Sequence, residues 1–395
     1  MKENLQIFFI LFISSLCLIL ETQSVSISHG EAQIYFGPHG LLYYISHLFT
    51  SILGQNDLAL RLPFIILHVL SLFLIYKIGK LFLKRKSDRV LSTAIFALLP
   101  GINSAAILVN SASLVIFLTL LFVFLYMYEC KTYSYWILIL SLLVDNSFSI
   151  LYLSLFFYAI SKKDNKLLIF SLILFGVSMY IYGFDDSGKP KGYFLDTLGI
   201  YSAIFSPFLF LYYIYTLYRI LIKEEKNLLW YISFVALIFS LFLSLRQRLH
   251  LEDFAPFVIL AIPLMVKVFL NSYRVRLPQY RRWHKVISIF VLTFLVINTF
   301  FIFVNKPLYA LYSNPKHHFA YNYEVAKELA WKLKVMDIHQ IKTLNHAMRI
   351  RLRFYGIQYG GDEVLSAASY GAKASQIIPI RYYGTIVVRF YIYKE

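Results

Sequence analysis

Long apolar runs, repeated along most of the chain and broken by short polar stretches, limit the possible folds of this sequence most. Leu5–Leu20, Leu62–Leu83, Val90–Val109, Ser111–Tyr128, Leu167–Tyr182, Tyr201–Ile222, Leu228–Leu245, Ala255–Leu270 and Val286–Val304 are each close to membrane-spanning length. A bilayer core takes about 20 apolar residues in helical form. Composition agrees: of 395 residues, 59% are hydrophobic and 15% charged, with a mean hydropathy of +0.64. Soluble domains lie nearer about half apolar and about a quarter charged. A tenth run, Trp136–Ile160, is interrupted by Asp145-Asn146-Ser147. It is too short for two full spans and reads as a hairpin of two short helices with a polar tip turned toward a cavity. The expected fold is an all-α polytopic membrane protein of about eleven helices.

The net charge of +17 would point to nucleic acid in a soluble chain. Here the basic residues gather in Lys84–Arg89, Ser161–Lys166, Lys223–Lys226 and Asn271–Lys285. With Lys2 on the cytoplasmic side, all four of these loops fall inside, as the positive-inside rule requires, so nucleic acid is not an expected partner. The outside loops are then Ser26–Pro63, Gly183–Ile200 and Arg246–Phe254, and the carboxyl tail is also outside. The first run reads as an uncleaved helix, because no small-residue cleavage site follows it cleanly. Cys17 and Cys130 fall near opposite ends of the bilayer, so no disulfide is expected. From about Asn305 the charge density rises. Tyr323–Met336 has helical spacing with Lys and Glu on one face, and Gly384–Tyr393 reads as a strand. The expected domains are therefore a membrane domain, residues 1–304 with a first outer loop at 22–61, and a small extramembrane α/β domain, 305–395. Its basic surface suits anionic lipid headgroups or sugar phosphates, or is simply solvated.

The chain has no Walker motif, dinucleotide loop, nucleophile elbow or metal-type Cys/His cluster. Gly356–Glu363 reads as a turn and His317-His318 as a surface pair. No cofactor is expected, and the need for a divalent metal is left open. His68 reads as a packed, hydrogen-bonded histidine, and Asp145 as a cap on a short helix. What remains is the long outer loop "SISHGEAQIYFGPHGLLYYISHLFTSILGQNDLALRLP", with Glu31 just beyond the first helix. Within it, Leu41–Gly54 fits an interfacial helix on the outer leaflet.

Glu31-Ala32 with Tyr35, then Pro38 with Leu42-Tyr43-Tyr44, then Gly54, Asp57 and Ala59-Leu60-Arg61-Leu62-Pro63 form an ordered series. This series resembles the first outer loop of GT-C membrane glycosyltransferases of the protein mannosyltransferase and aminoarabinose transferase type. Leu98-Leu99-Pro100 and "RQRLHLEDFAPFVILAIPL" (Arg246–Leu264) extend the resemblance more weakly. The chain departs from the pattern at Gly30, where the family has the first acid of an Asp-Glu pair, and at Ser111, where a further acid is common.

The resemblance implies transfer of a sugar from a polyprenyl-phosphate donor to a lipid, glycan or protein acceptor, at the outer face of a bacterial inner membrane. A loop carboxylate would take the proton of the attacking hydroxyl, with inversion at the anomeric carbon. Glu31 is the first candidate base and Asp57 the second; Asp57 also reads as an N-terminal charge on its helix. Arg246, Arg248 and His250 are the candidates for the leaving phosphate. Arg61 joins them, or anchors its helix at the interface. Two rival readings are a transporter of lipid-linked sugars and a non-catalytic scaffold that binds polyprenyl phosphate.

Overall fold

The computed structural model describes residues 2–183, 192–312, 314–368 and 374–394. Residues 184–191, in the first half of the expected outer loop Gly183–Ile200, lie outside the described residues. The chain divides into two compact units that do not follow a single cut. One comprises Met1–Ser15, Ile66–Ala106 and Asn110–Phe300; the other Leu16–Ile65, Ile107–Val109 and Phe301–Glu395.

The first unit is helical. Among the described residues of the chain, five helices are long and apolar enough to cross a membrane, or seven if each of two bent pairs is one span. They make this a multi-pass membrane protein. The expected eleven is reached only by adding the shorter helices Ala112–Met127, Lys131–Leu142, Phe148–Lys162 and Leu228–Ser244. The broken run does form two short helices, and the Asp145 side chain accepts the Ser147 amide at 2.9 Å where the second begins. His68 is buried, with Nε2 2.8 Å from the Ser14 hydroxyl, as its sequence context predicts.

Two expected straight spans are bent. Lys86–Ala97 and Pro100–Ile107 meet at 56°, because Pro100 has no amide to continue the ladder. Phe194–Phe205 and Pro207–Lys223 meet at 105°. There Ser206 takes φ +80°, a left-handed value unusual for serine, and Pro207 opens the next helix. A bidentate pair, Arg274 to Asp88 at 2.7 and 2.5 Å, joins Ile262–Val275 to Lys86–Ala97.

The second unit joins the first outer loop to the carboxyl-terminal region. The expected organisation put residues 22–61 with the membrane domain; by packing they cluster with 301–395. The loop holds two helices, His29–Phe36 and Leu41–Leu53, and leads into Asp57–Phe82. Leu41–Leu53 is inverted relative to a soluble helix: Tyr44, Leu48 and Ile52 are exposed, while Ser46 and Thr50 are buried.

The carboxyl-terminal part has the expected α/β character. Its sheet comprises β1 (Lys342–Thr343), β2 (Glu363–Ser366), β3 (Gln376–Tyr382) and β4 (Thr385–Lys394), in the order β1-β2-β4-β3. Only β1–β2 is parallel. The β3–β4 hairpin turns on Tyr383 and Gly384, both at positive φ, as a two-residue turn demands. Pro379 is accommodated because β3 is an edge strand. Helix Ala326–Val335 packs Leu329 and Leu333 into the core with Ile378, Ile380 and Ile392. Residues 356–362 form a turn-and-bend connection with Gly356, Gly360 and Gly361 at positive φ and one bridge at Gln358, and Glu363 begins β2. His317 is exposed as expected. His318 is not: it is buried, its ring stacked 3.9 Å from that of Tyr309.

Candidate functional site

The site begins with a capping box. Ser28 precedes His29–Phe36; its hydroxyl accepts the Glu31 amide at 3.2 Å, and Glu31 Oε2 accepts the Ser28 amide at 2.8 Å. This exchange turns the carboxylate of Glu31 back toward the helix start. There Arg61, from the second turn of Asp57–Phe82, meets it edge on. Arg61 Nη2 donates to Oε2 at 2.9 Å and Nε to Oε1 at 3.1 Å, and the Val109 amide also donates to Oε1 at 3.1 Å. The remaining Arg61 N–H groups reach the carbonyls of Thr22, Val25 and Ser26.

Glu31 is 2% exposed and Arg61 0%. All five donors of the guanidinium are therefore used inside the protein, and four donors meet the carboxylate. Burial alone would push the Glu31 carboxyl up. The Arg61 charge and the hydrogen bonds from Arg61, Ser28 and Val109 outweigh it and hold the group below its ordinary value of 4.5. The expectation of Arg61 as an interfacial anchor is corrected here: its charge is neutralised in the interior, not presented at a surface.

Asp57 opens its helix, as the sequence predicts, and also has specific partners. The Tyr355 hydroxyl donates to Oδ1 at 2.6 Å, and Lys327 Nζ lies 2.8 Å from Oδ2. Tyr355 in turn accepts the Ile27 amide at 2.8 Å. Arg351, also buried, donates to the Ile27 carbonyl at 2.7 Å, the Glu324 carbonyl at 2.6 Å and the Ser26 hydroxyl at 3.1 Å. Residues 25–27, a loop with no ladder of its own, are thus held from both sides.

Lys327 and Tyr355 also line a cavity of about 430 Å³, with Lys306, Lys334, Glu324 and Trp331 among its other walls. Asp57 therefore stands behind two cavity residues, one of them a half-exposed lysine. Glu31's partners Ser28, Arg61 and Val109 are not among the walls of this cavity.

In the first unit, Arg246, Arg248 and His250 are exposed. Arg248 and His250 line one cavity of about 210 Å³ with Asn146, Gln247 and Asp253; Arg246 is not among its walls. The hairpin tip does reach a cavity, through Asn146 and Ser147. The structure thus groups the predicted residues as Glu31 with Arg61, Asp57 one helical turn before Arg61 and within reach of its charge, and Arg248 with His250.

Sequence reasoning missed Tyr355, Lys327, Arg351 and Glu324. Ser28-x-x-Glu31 was a readable local sign that Glu31 turns inward. The other four come from some 300 positions away, and no local pattern marks them. Among the described residues, no group of three or more His, Cys, Asp or Glu side chains is placed to hold a metal ion.

A family model described as dolichyl-phosphate-mannose-protein mannosyltransferase matches residues 39–145. The matched segment contains Asp57 and Arg61 and begins after Glu31. It covers little more than a quarter of the chain, and it points to a membrane glycosyltransferase of the GT-C type. No curated protein matches the chain.

Proposed function

We propose that this chain transfers a sugar from a polyprenyl-phosphate donor to an acceptor hydroxyl, with Asp57 as the proton acceptor. The observation that carries this reading is the placement of Asp57, inside the matched segment 39–145 and directly behind two residues of a cavity. The acceptor oxygen bonds to the anomeric carbon as the carbon–oxygen bond to phosphate breaks. The electron pair leaves with the polyprenyl phosphate, and the hydroxyl proton passes to the carboxylate. Lys327 is the movable partner, because an ammonium on a flexible stem can leave Asp57 for a substrate. Glu31, the first candidate from sequence, serves better as a positioning residue: with all its acceptor sites filled and its proton affinity lowered, it is a poor base. Arg61 positions with it. Arg246, Arg248 and His250 belong to the first unit and are assigned no step in the transfer. The proposed setting is the outer face of a bacterial inner membrane, with Leu41–Leu53 turning its apolar stripe to lipid.

The test uses detergent-solubilised membranes that contain the full chain and native acceptors, with labelled polyprenyl-phosphate sugar. Asp57→Asn should lower transfer by about 10²–10⁴-fold, the usual worth of a general base. Transfer that survives in Asp57→Asn and is lost in a folded Glu31→Gln would return the role to Glu31. A second reading, a donor-binding scaffold, draws on Gly30 in place of the expected acid. It predicts donor binding by the wild-type chain with no transfer at all.

A further inference from the structure

The cavity walled by Lys306, Lys327 and Lys334 contains more chemistry than holding Asp57 requires. Lys327, Trp331 and Lys334 lie at positions i, i+4 and i+7 of Ala326–Val335, so one helix face carries a cation, an aromatic ring and a second cation. Trp331 is an exposed indole at the lip. The Lys334 ammonium makes no hydrogen bond or ion pair among the described residues, and Lys306 lies across the Tyr382 ring, 5.2 Å from its centre. Deeper in, Glu324 is 1% exposed, and neither carboxyl oxygen meets a donor at full hydrogen-bond geometry, although the Tyr309 hydroxyl lies close. A buried polar group left short of partners costs stability and calls for an explanation, such as a role at a binding site. Val325, next to it, takes φ +75°. A β-branched residue there is strained, and such strain concentrates at functional positions.

We infer that this cavity binds a pyranose bearing a phosphate or carboxylate, the acidic sugar unit of the acceptor. The inference rests on the glycosyltransferase reading above and names its substrate class. The indole face takes the apolar C–H face of the ring, as flat aromatic surfaces do. The lysine ammonium groups take the anionic substituent as point charges. Glu324 takes a ring hydroxyl, which completes its own hydrogen bonding. Lipid headgroups and free glycans can both supply such a unit, and the probes separate them.

The full-length protein is purified in detergent and titrated without donor, so glycosyl transfer is not involved in the readout. Tryptophan fluorescence reports the binding, and Trp331→Phe identifies the signal among the four tryptophans. Hexose 6-phosphate and a hexuronic acid should quench it saturably, while neutral hexose binds at least tenfold more weakly. Lys334→Glu, a change at an unpartnered surface side chain, should weaken binding at least tenfold with unchanged thermal unfolding. Nanodiscs containing a phosphosugar glycolipid are the second arm. Quenching there but not by the soluble sugars assigns the unit to a lipid; quenching by both assigns it to the sugar alone. Equal binding of neutral hexose, or of inorganic phosphate, or an unaltered Lys334→Glu, overturns the inference. Loss of transfer in Asp57→Asn with no quenching by any probe would overturn it while leaving the proposed function standing.

Discussion

Two glutamates in the same compact unit are nearly equally buried, yet they are opposites. Glu31 is met by four donors, and the group that pairs with it has every N–H in use. Glu324 lies against the cavity, and neither of its oxygens meets a donor at full hydrogen-bond geometry. The first is an interior joint; the second is an open valence. Burial alone therefore does not decide what an acidic side chain is for. The number of donors already committed to it also counts, and by that count the two acids here differ.

The largest effect should come from breaking the joint on one side. Arg61→Met leaves the Glu31 charge buried without its partner, at a cost of about 3–5 kcal/mol. Thermal unfolding of the purified protein measures it. The paired change Arg61→Met with Glu31→Met should recover much of the loss. A mild effect of Arg61→Met alone would mean that Glu31 is no joint. Next in size is Tyr355→Phe, which removes the hydroxyl between Asp57 and the Ile27 amide. About 1–3 kcal/mol should be lost, since the acceptor is a carboxylate and the amide loses its partner as well.

The smallest effect is one of sign. Glu31 is held below its ordinary value, so the unfolded chain binds its proton more readily. Its contribution is present above about pH 4.5 and is lost as pH falls through the folded value. Glu324 is raised, first by burial, with the nearby Tyr309 hydroxyl and Lys306 charge opposing without cancelling it. The folded chain then binds the proton more readily, and stability falls as pH climbs from about 4.5 through the raised value. Glu324→Gln should therefore remove a loss on the neutral side, and Glu31→Gln should reduce a loss on the acid side. Unfolding temperatures across pH 3.5–8 read both slopes, and slopes of the same sign would erase the contrast.

Much of the first unit was legible because hydropathy is a local property: a run of apolar residues announces a membrane helix whatever surrounds it. The small α/β region was legible for a similar reason, and the strand at Thr385–Lys394 lies one residue from where alternation placed it. The bend at Ser206 was not, since nothing in the composition of Tyr201–Ile222 marks a left-handed serine, and Pro207 lies inside a run that reads as one span. Glu31 was found as a residue of interest, but its environment was not. Whether an acid in a loop is solvated or sealed depends on Arg61 and Val109 arriving from elsewhere. Asp57 shows the limit most clearly. Its helix-start position is visible in the sequence; its partners Tyr355 and Lys327 are brought to it only by the tertiary fold.

The assembly of the second unit from both ends of the chain also sets an order of events during synthesis. Glu31 and Arg61 are 30 positions apart, so their charges can neutralise each other as soon as the first loop emerges. Asp57 and Ile27 must wait for Lys327, Arg351 and Tyr355, after the long apolar helices among the described residues have been made. Proteins fold from the amino terminus as they are synthesised, and contacts this distant form late. Throughout insertion the nascent chain thus carries an unfilled cradle outside its finished helices. A chain stopped short of residue 324 would lack Lys327 and Tyr355, the hydrogen-bond and ion-pair partners of Asp57.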